Sequence, residues 1–295
     1  MITLVSPQLT VEIDLLRGGA ITSIISRSTN DEWIYYDRSR RAPNASLENY
    51  DDVWCGGFEE LFPNDAVTVI DGRTLKDHGE LWQQEWTVLH RTPSSLSLEA
   101  QCTTVPARVR KTVALNDCAS TMDITYEIHN VSDEQFHYLF KLHPAMRIEE
   151  EDEILLPNGT ILPVDTSFGT LIDSPGPFRW PMITDRNGNT HNISIIPKQS
   201  KKTREFVYVT EMTEGWCGLK RKQTGEKFFI RYSLSQFPYC WLFMALGGWR
   251  DYYTVVLEPC TNFPKDMNAA IANGTSAIMK PNEIHHFAIS VTLEK

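Results

Sequence analysis

The sequence predicts an all-β protein: a large antiparallel β-sandwich in which two extensive sheets pack face to face. Three observations predict it. Apolar and polar residues alternate with period two in nearly every apolar segment, which puts successive side chains on opposite faces of a strand. From residue 87 onward the candidate strands recur at about 8–12-residue spacing, the signature of a sandwich or barrel. Only residues 262–272 carry a modest helical pattern.

The chain opens on Ile2-Thr3-Leu4-Val5 and Leu9-Thr10-Val11-Glu12-Ile13, two alternating tracts that read as the arms of a hairpin. Gly18-Gly19 then turns the chain into a strand over 20–25. Trp33-Ile34-Tyr35-Tyr36 is a further aromatic, β-prone piece. Strands are expected next at 86–89, 95–103, 107–115, 121–130 and 136–142. The tract from Thr121 to Ile128 alternates cleanly, as a half-buried antiparallel strand should. Past Pro144 the texture changes. Glu149-Glu150-Glu151-Asp152-Glu153 reads as an exposed acidic turn, and residues 157–197, rich in Pro, Gly, Asn and Asp, as long loops with short strands. Strands return at 205–211, 216–220, 228–232, 239–245, 254–257 and 286–292. No repeat, linker or low-complexity tract interrupts residues 1–295, so a single sandwich domain is expected.

The 295 residues are 41% hydrophobic and 22% charged, enough for a sizeable core. A formal net charge of -10 argues against a nucleic-acid partner, because neutralising phosphates requires clustered Lys and Arg. The one compact basic cluster, Arg38-Ser39-Arg40-Arg41, sits between acidic stretches and reads as a solvated loop. No signal peptide is visible and no run approaches the ~18 apolar residues of a membrane span, so no membrane partner is expected. Six cysteines, at 55, 102, 118, 217, 240 and 260, contain no C-x-x-C pair. They read as reduced, mostly buried thiols of a cytoplasmic protein. In that context the sequons at Asn44, Asn130, Asn158, Asn192 and Asn273 are chance matches.

Three stretches combine ionisable groups with backbone punctuation. Asp77-His78-Gly79-Glu80-Leu81-Trp82-Gln83-Gln84-Glu85-Trp86 offers an imidazole, three carboxylates, two carboxamides and two indoles within ten residues. Indole faces stack on the C–H faces of sugars, and carboxylates and carboxamides bind hydroxyls, which makes Glu80, Trp82 and Gln84 candidate sugar contacts. In Phe140-Lys141-Leu142-His143-Pro144-Ala145 a histidine closes a strand and a proline ends regular pairing behind it. In Val255-Val256-Leu257-Glu258-Pro259-Cys260 a carboxylate ends a continuous apolar strand. A strand so apolar is central, and a carboxyl at its buried rim has a raised pKa suited to a general base. Taken singly, each also reads as an ordinary strand end.

Together, the order HG…LHP…LEP within a long all-β chain resembles the galactose mutarotase (aldose 1-epimerase) superfamily. The resemblance runs from about Gly18 to Thr292, with 65 residues from His78 to His143 and 115 from there to Glu258. Two features depart from the galactose enzymes: Gly79 is followed by Glu80-Leu81-Trp82 rather than a second glycine, and His143 by Pro144-Ala145 rather than an aromatic and an Asn. The resemblance implies a divergent member, a cofactor-independent isomerase that interconverts α and β anomers of a monosaccharide. Glu258 would be the base, His143 the acid, and His78 would hold the sugar. The glycine-led stretch from Gly56 to Asn64 is similar to the family's loop in front of the first histidine, so one of its acids, such as Glu59, is a candidate hydroxyl ligand. Lys141 shares a strand face with His143 and would either lower that histidine's pKa, recognise an anionic group or lie at the surface. Trp180, Gln236, Trp249 and Arg250 are weaker candidates. A hexose-6-phosphate mutarotase drawing cations from Arg38, Arg40, Arg41 or Lys141, a non-catalytic sugar-binding protein, and a glycosidase using Glu80 and Glu258 are the alternatives. The expected partner is a small sugar, and the expected assembly a monomer or homodimer.

Overall fold

The computed structural model describes residues 1–40, 49–70 and 72–295. Arg41 and Asn44 lie outside the described residues, as does the side chain of Arg40. Two antiparallel sheets carry the fold, one of twelve strands and one of eight. The larger begins with the hairpin Ile2–Val5 and Leu9–Asp14, followed by Ala20–Ser26 and Phe58–Leu61. Its centre is Lys141–Arg147, Tyr253–Cys260, Tyr239–Leu246 and Thr203–Thr210, and its far edge is Thr160–Pro163 with three short strands. The smaller sheet runs Glu153–Leu155, Trp216–Lys220, Lys227–Tyr232, Ile284–Glu294, Thr121–Asn130, Ala107–Leu115, Ser95–Gln101 and Thr87–Arg91.

Period-two alternation decides which side chains enter the space between the sheets. Val109, Ile124, Ile230 and Val291 of the smaller sheet meet Val11, Leu142, Leu242 and Leu257 of the larger in one apolar core. The opposite face of the larger sheet carries two separate apolar clusters, one around Trp54, Ala145 and Val256 and one around Trp241 and Cys260. The centre of the larger sheet is therefore buried on both faces, and two of its central strands, Tyr239–Leu246 and Tyr253–Cys260, are largely apolar runs.

One polar group interrupts the inter-sheet core. Lys111 Nζ lies 2.6 Å from Glu60 Oε1 and also donates to the Gly19 carbonyl, while the Tyr126 hydroxyl donates to the same carboxylate oxygen at 2.7 Å. Glu60 belongs to the larger sheet and the other two side chains to the smaller, so the pair ties the sheets together across their core.

Several boundaries differ from the sequence expectation. The segment expected as one strand at 136–142 divides into Phe136–Tyr138, in a two-stranded ribbon, and Lys141–Arg147, at the centre of the larger sheet. Pro144 does not end that strand and Glu258 does not end its own, which runs on to Cys260. The two strands pair at Lys141 with Cys260 and again at Ala145 with Val256. The ladder breaks between those pairs, where Pro144 and Pro259 supply no N–H. Phe58–Leu61, expected as loop, is a fully buried strand, because Arg17 and Lys111 reach its two acids from distant parts of the chain. Residues 33–36 make isolated bridges through Ile34 and Tyr36 instead of a strand. Helix is confined, among the described residues, to Met267–Ala272, Tyr50–Val53 and short 3-10 turns. All six cysteines are free thiols, five of them buried and Cys118 exposed. No helix of the described residues is long and apolar enough to cross a membrane.

Candidate active site

Register builds the site on the face of the larger sheet that points away from the inter-sheet core. His143 pairs across the ladder with Glu59 on one side, and Trp241 pairs with Glu258. The pairs at Lys141–Cys260 and Ala145–Val256 bracket His143 and Glu258 opposite each other at the proline gap. One row across four strands thus reads Glu59, His143, Glu258, Trp241, with Lys141 one step along on the same face. The alternation predicted for Lys141 and His143 holds. His143 and Glu258 face a cavity of about 360 Å³, within the common range of small-ligand pockets, whose aromatic wall is Tyr50, Trp54, Phe168, Phe206, Phe243 and Trp249. Its polar lining also includes His78, Lys141, Lys265 and the carboxylates of Asp51, Asp65, Asp77 and Asp165.

Lys141 is not a surface lysine. It is buried, with Nζ 2.6 Å from Asp65 Oδ1, 2.5 Å from Glu258 Oε2 and 4.2 Å from the centre of the Trp241 ring. The contact to Glu258 is a close, buried ion pair. Burial raises the Glu258 carboxyl above the ordinary carboxylate range, with Lys141 opposing. At Asp65 the balance reverses: burial would raise it, but Lys141 and then His78 outweigh burial and hold it low. Lys141 itself is held above the usual lysine value, because Asp65 and Glu258 more than offset its burial.

His78 sits in the left-handed region at φ 58° and stacks on the Tyr50 ring at 3.9 Å and 12°. Its Nδ1 lies 3.0 Å from Asp77 Oδ1, and its Nε2 faces Asp65 at 4.0 Å. Burial would favour the neutral ring, but Asp65 and Asp77 prevail and raise its pKa. His143 goes the other way. Burial first, then Lys141 and His78, push it well below the usual value, so the ring is neutral near pH 7. Its Nδ1 lies 3.2 Å from the Tyr50 hydroxyl, which is 2.6 Å from Glu59 Oε2.

Three expected sugar contacts are used by the fold instead. Glu80 is buried and accepts from Thr103 N, Thr103 Oγ1 and Thr104 N, pinning the loop after Ser95–Gln101. Gln84 donates to Glu80, and Trp82 packs edge-on beneath Tyr50 at 4.9 Å, 2% exposed. None of the three lines the cavity, which removes the two-carboxylate pairing of Glu80 with Glu258. Glu59 is also absent from the wall; it lies beneath Tyr50, with Oε1 3.4 Å from Arg17 Nε. Arg38 pairs with Glu12 in a separate groove that shares no lining residue with the cavity. Trp249 does line the cavity, Arg250 pairs with Asp52, Gln236 donates to the His286 carbonyl, and Trp180 packs against the main core. Tyr50, Trp54, Asp65 and Lys265 enter the site without any motif to announce them. Among the described residues no group of three His, Cys, Asp or Glu side chains is placed to hold a metal ion.

No protein-family model matches the chain, and no curated protein matches it. Solved structures do. Slr1438 protein from Synechocystis sp. PCC 6803 superposes with a TM-score of 0.71 at 16% identity, over 99% of this chain and 96% of that one. A galactose mutarotase related enzyme from Lactobacillus acidophilus gives 0.71 at 13% identity, over 100% and 97%. A galactose mutarotase-like protein from Lactobacillus casei ATCC 334 gives 0.68 at 15% identity, over 100% of both chains. The chain has the fold of these structures, two of them galactose mutarotase-like, over 99–100% of its length.

Proposed function

We propose that this chain is a divergent member of the galactose mutarotase superfamily, a cytoplasmic aldose 1-epimerase that interconverts the α and β anomers of a monosaccharide. The observation that carries the reading is the placement of His143 and Glu258 on one cleft-facing row, opposite each other where two prolines open the ladder. Glu258, buried on the cavity wall with a raised pKa, is suited to take the C1 hydroxyl proton. His143 delivers a proton to the ring oxygen from Nε2, the nitrogen not engaged by Tyr50. The C1–O5 bond breaks, the aldehyde carbon rotates, and closure on the other face reverses both transfers. His78 orients a hydroxyl as a donor, and the indoles of Trp54 and Trp249 flank the sugar's C–H faces.

Charge disfavours the hexose-6-phosphate alternative: Lys141 is already shared by two carboxylates, Arg38 lies in another groove, and Lys265 shares the cavity wall with Asp51, Asp65, Asp77 and Asp165. In saturation-transfer NMR on equilibrated aldoses, the wild type should accelerate anomer exchange and gain nothing from a 6-phosphate. Glu258→Gln or His143→Ala should lower the rate by about 10²–10⁴-fold, the usual weight of general acid–base catalysis. Equal exchange rates in all three proteins would remove the assignment.

A further inference from the structure

A neutral, buried His143 poses a chemical problem for the reading above. A neutral imidazole that gave up its Nε2 proton with nothing arriving at Nδ1 would become an imidazolate, far too basic an anion for this site. An imidazolium would avoid that, but Lys141 and His78 disfavour a third cation there. The way out is a proton delivered to Nδ1 as one leaves Nε2.

The groups for that delivery are present and buried. On the Nδ1 side of His143 stands Tyr50, whose ring is part of the cavity wall, and beyond its hydroxyl stands Glu59, outside the wall, at 3.2 Å and 2.6 Å in turn. Arg17 closes the line, with Nε 3.4 Å from Glu59 Oε1 and a second nitrogen donating to the Val53 carbonyl. Glu59 is fully buried, and Tyr50 is 2% exposed. We propose that Glu59, Tyr50 and His143 form a proton relay, in which the state of Glu59 selects the tautomer of His143 and reloads its Nδ1 during ring opening. The proposal rests on the mutarotase reading for its catalytic part only.

The bookkeeping closes. At the start Glu59 is protonated and donates to Tyr50, Tyr50 donates to Nδ1, and Nε2–H faces the sugar. On ring opening Nε2 gives its proton to the ring oxygen, Nδ1 takes that of Tyr50, and Tyr50 takes that of Glu59. Glu258 meanwhile takes the C1 hydroxyl proton. One negative charge has moved from Glu258 to Glu59, beside Arg17, and the imidazole is neutral throughout. Ring closure runs the line backwards. Burial supports the protonated starting state by raising the Glu59 carboxyl, against the pull of Arg17 and Tyr50. The charged and titratable groups around the line are Arg17, Cys55 and His78 about Glu59, Arg17, Glu258 and the stacked His78 about Tyr50, and Lys141 and His78 about His143.

The test is the ¹⁵N spectrum of His143 in histidine-labelled protein, read from pH 5 to 9, which needs no turnover. In the wild type the neutral ring should carry its proton on Nε2 at low pH and shift toward Nδ1–H as Glu59 ionises. Glu59→Gln, whose amide remains a donor, should hold the Nε2–H form across the range. Tyr50→Phe, which keeps the ring stacked on His78, should uncouple the tautomer from pH and lower kcat about a hundredfold, with KM nearly unchanged. A wild-type ring protonated on Nδ1 throughout, or a tautomer profile unaltered by Tyr50→Phe, would overturn the relay. If the tautomers behave as stated but no sugar exchanges, it is the mutarotase reading that fails, and the relay stands.

Discussion

At the scale of single residues, the site is governed by charges that decide one another's protonation. Lys141 is the hinge of that set. Lys141→Met would leave Asp65 and Glu258 buried without their cation, at a cost of about 3–5 kcal/mol in urea or guanidinium denaturation. The two histidines give opposite pH dependences. His143 is neutral in the fold while the unfolded chain would protonate it below about pH 6.5, so its contribution is lost as pH falls through that value. His78, with a raised pKa, contributes fully below its unfolded value and loses that contribution as pH rises through the folded one. His143→Gln should therefore flatten the loss of stability between pH 7 and 5, measured as the shift of the denaturation midpoint. His78, His143 and Glu258 were legible in the sequence because each stands beside glycine or proline in a recognisable motif. Tyr50, Asp65 and Arg17 were not, since their roles come from partners far along the chain. Tyr50 reaches His143 across 93 residues, Lys141 reaches Asp65 across 76, and Arg17 reaches Glu59 across 42.

At the scale of elements, period two was readable where a long strand buries one face, which is why the opening hairpin and strands such as Ser95–Gln101, Ala107–Leu115 and Thr121–Asn130 stand out in the sequence, while the short Glu153–Leu155, read as part of an acidic turn, does not. It failed where burial is two-sided. Phe58-Glu59-Glu60-Leu61 carries acids on both faces of a buried strand, and only the cations brought by other elements make that tolerable. The same blindness misplaced Glu80, Trp82 and Gln84. Their composition suits a sugar, but the turn at Gly79 carries them under the cleft. Gly79 has φ 68°, and a Cβ there would lie 2.2 Å from the Phe62 carbonyl oxygen. Gly79→Ala must therefore push the segment that carries His78 off the strand end at Phe62. The backbone strain alone costs about 1–2 kcal/mol, and the clash adds to it. Thermal denaturation should show a lowered midpoint, and the His78 ring resonances should move with it.

At the scale of the whole molecule, the twelve-stranded sheet does two jobs: one face closes the core against the smaller sheet and the other lines the cavity that His143 and Glu258 face. The Lys111–Glu60 pair is a polar link across that core, with Tyr126 as its third member. Removing either charge alone, as in Lys111→Met or Glu60→Leu, should destabilise by about 3–5 kcal/mol, whereas the double variant should cost much less than the sum. A double-mutant cycle by chemical denaturation measures this, and full additivity would show that the pair is not coupled. On the other face, the proposed chemistry needs Glu258 and His143 to flank the anomeric carbon of a sugar. A crystal structure of the protein soaked with a monosaccharide would decide this. The C1 hydroxyl should lie within hydrogen-bond distance of Glu258 and the ring oxygen within reach of His143 Nε2, with the sugar between the aromatic walls. A sugar bound in this cleft with its C1 hydroxyl and ring oxygen turned away from both residues would contradict it.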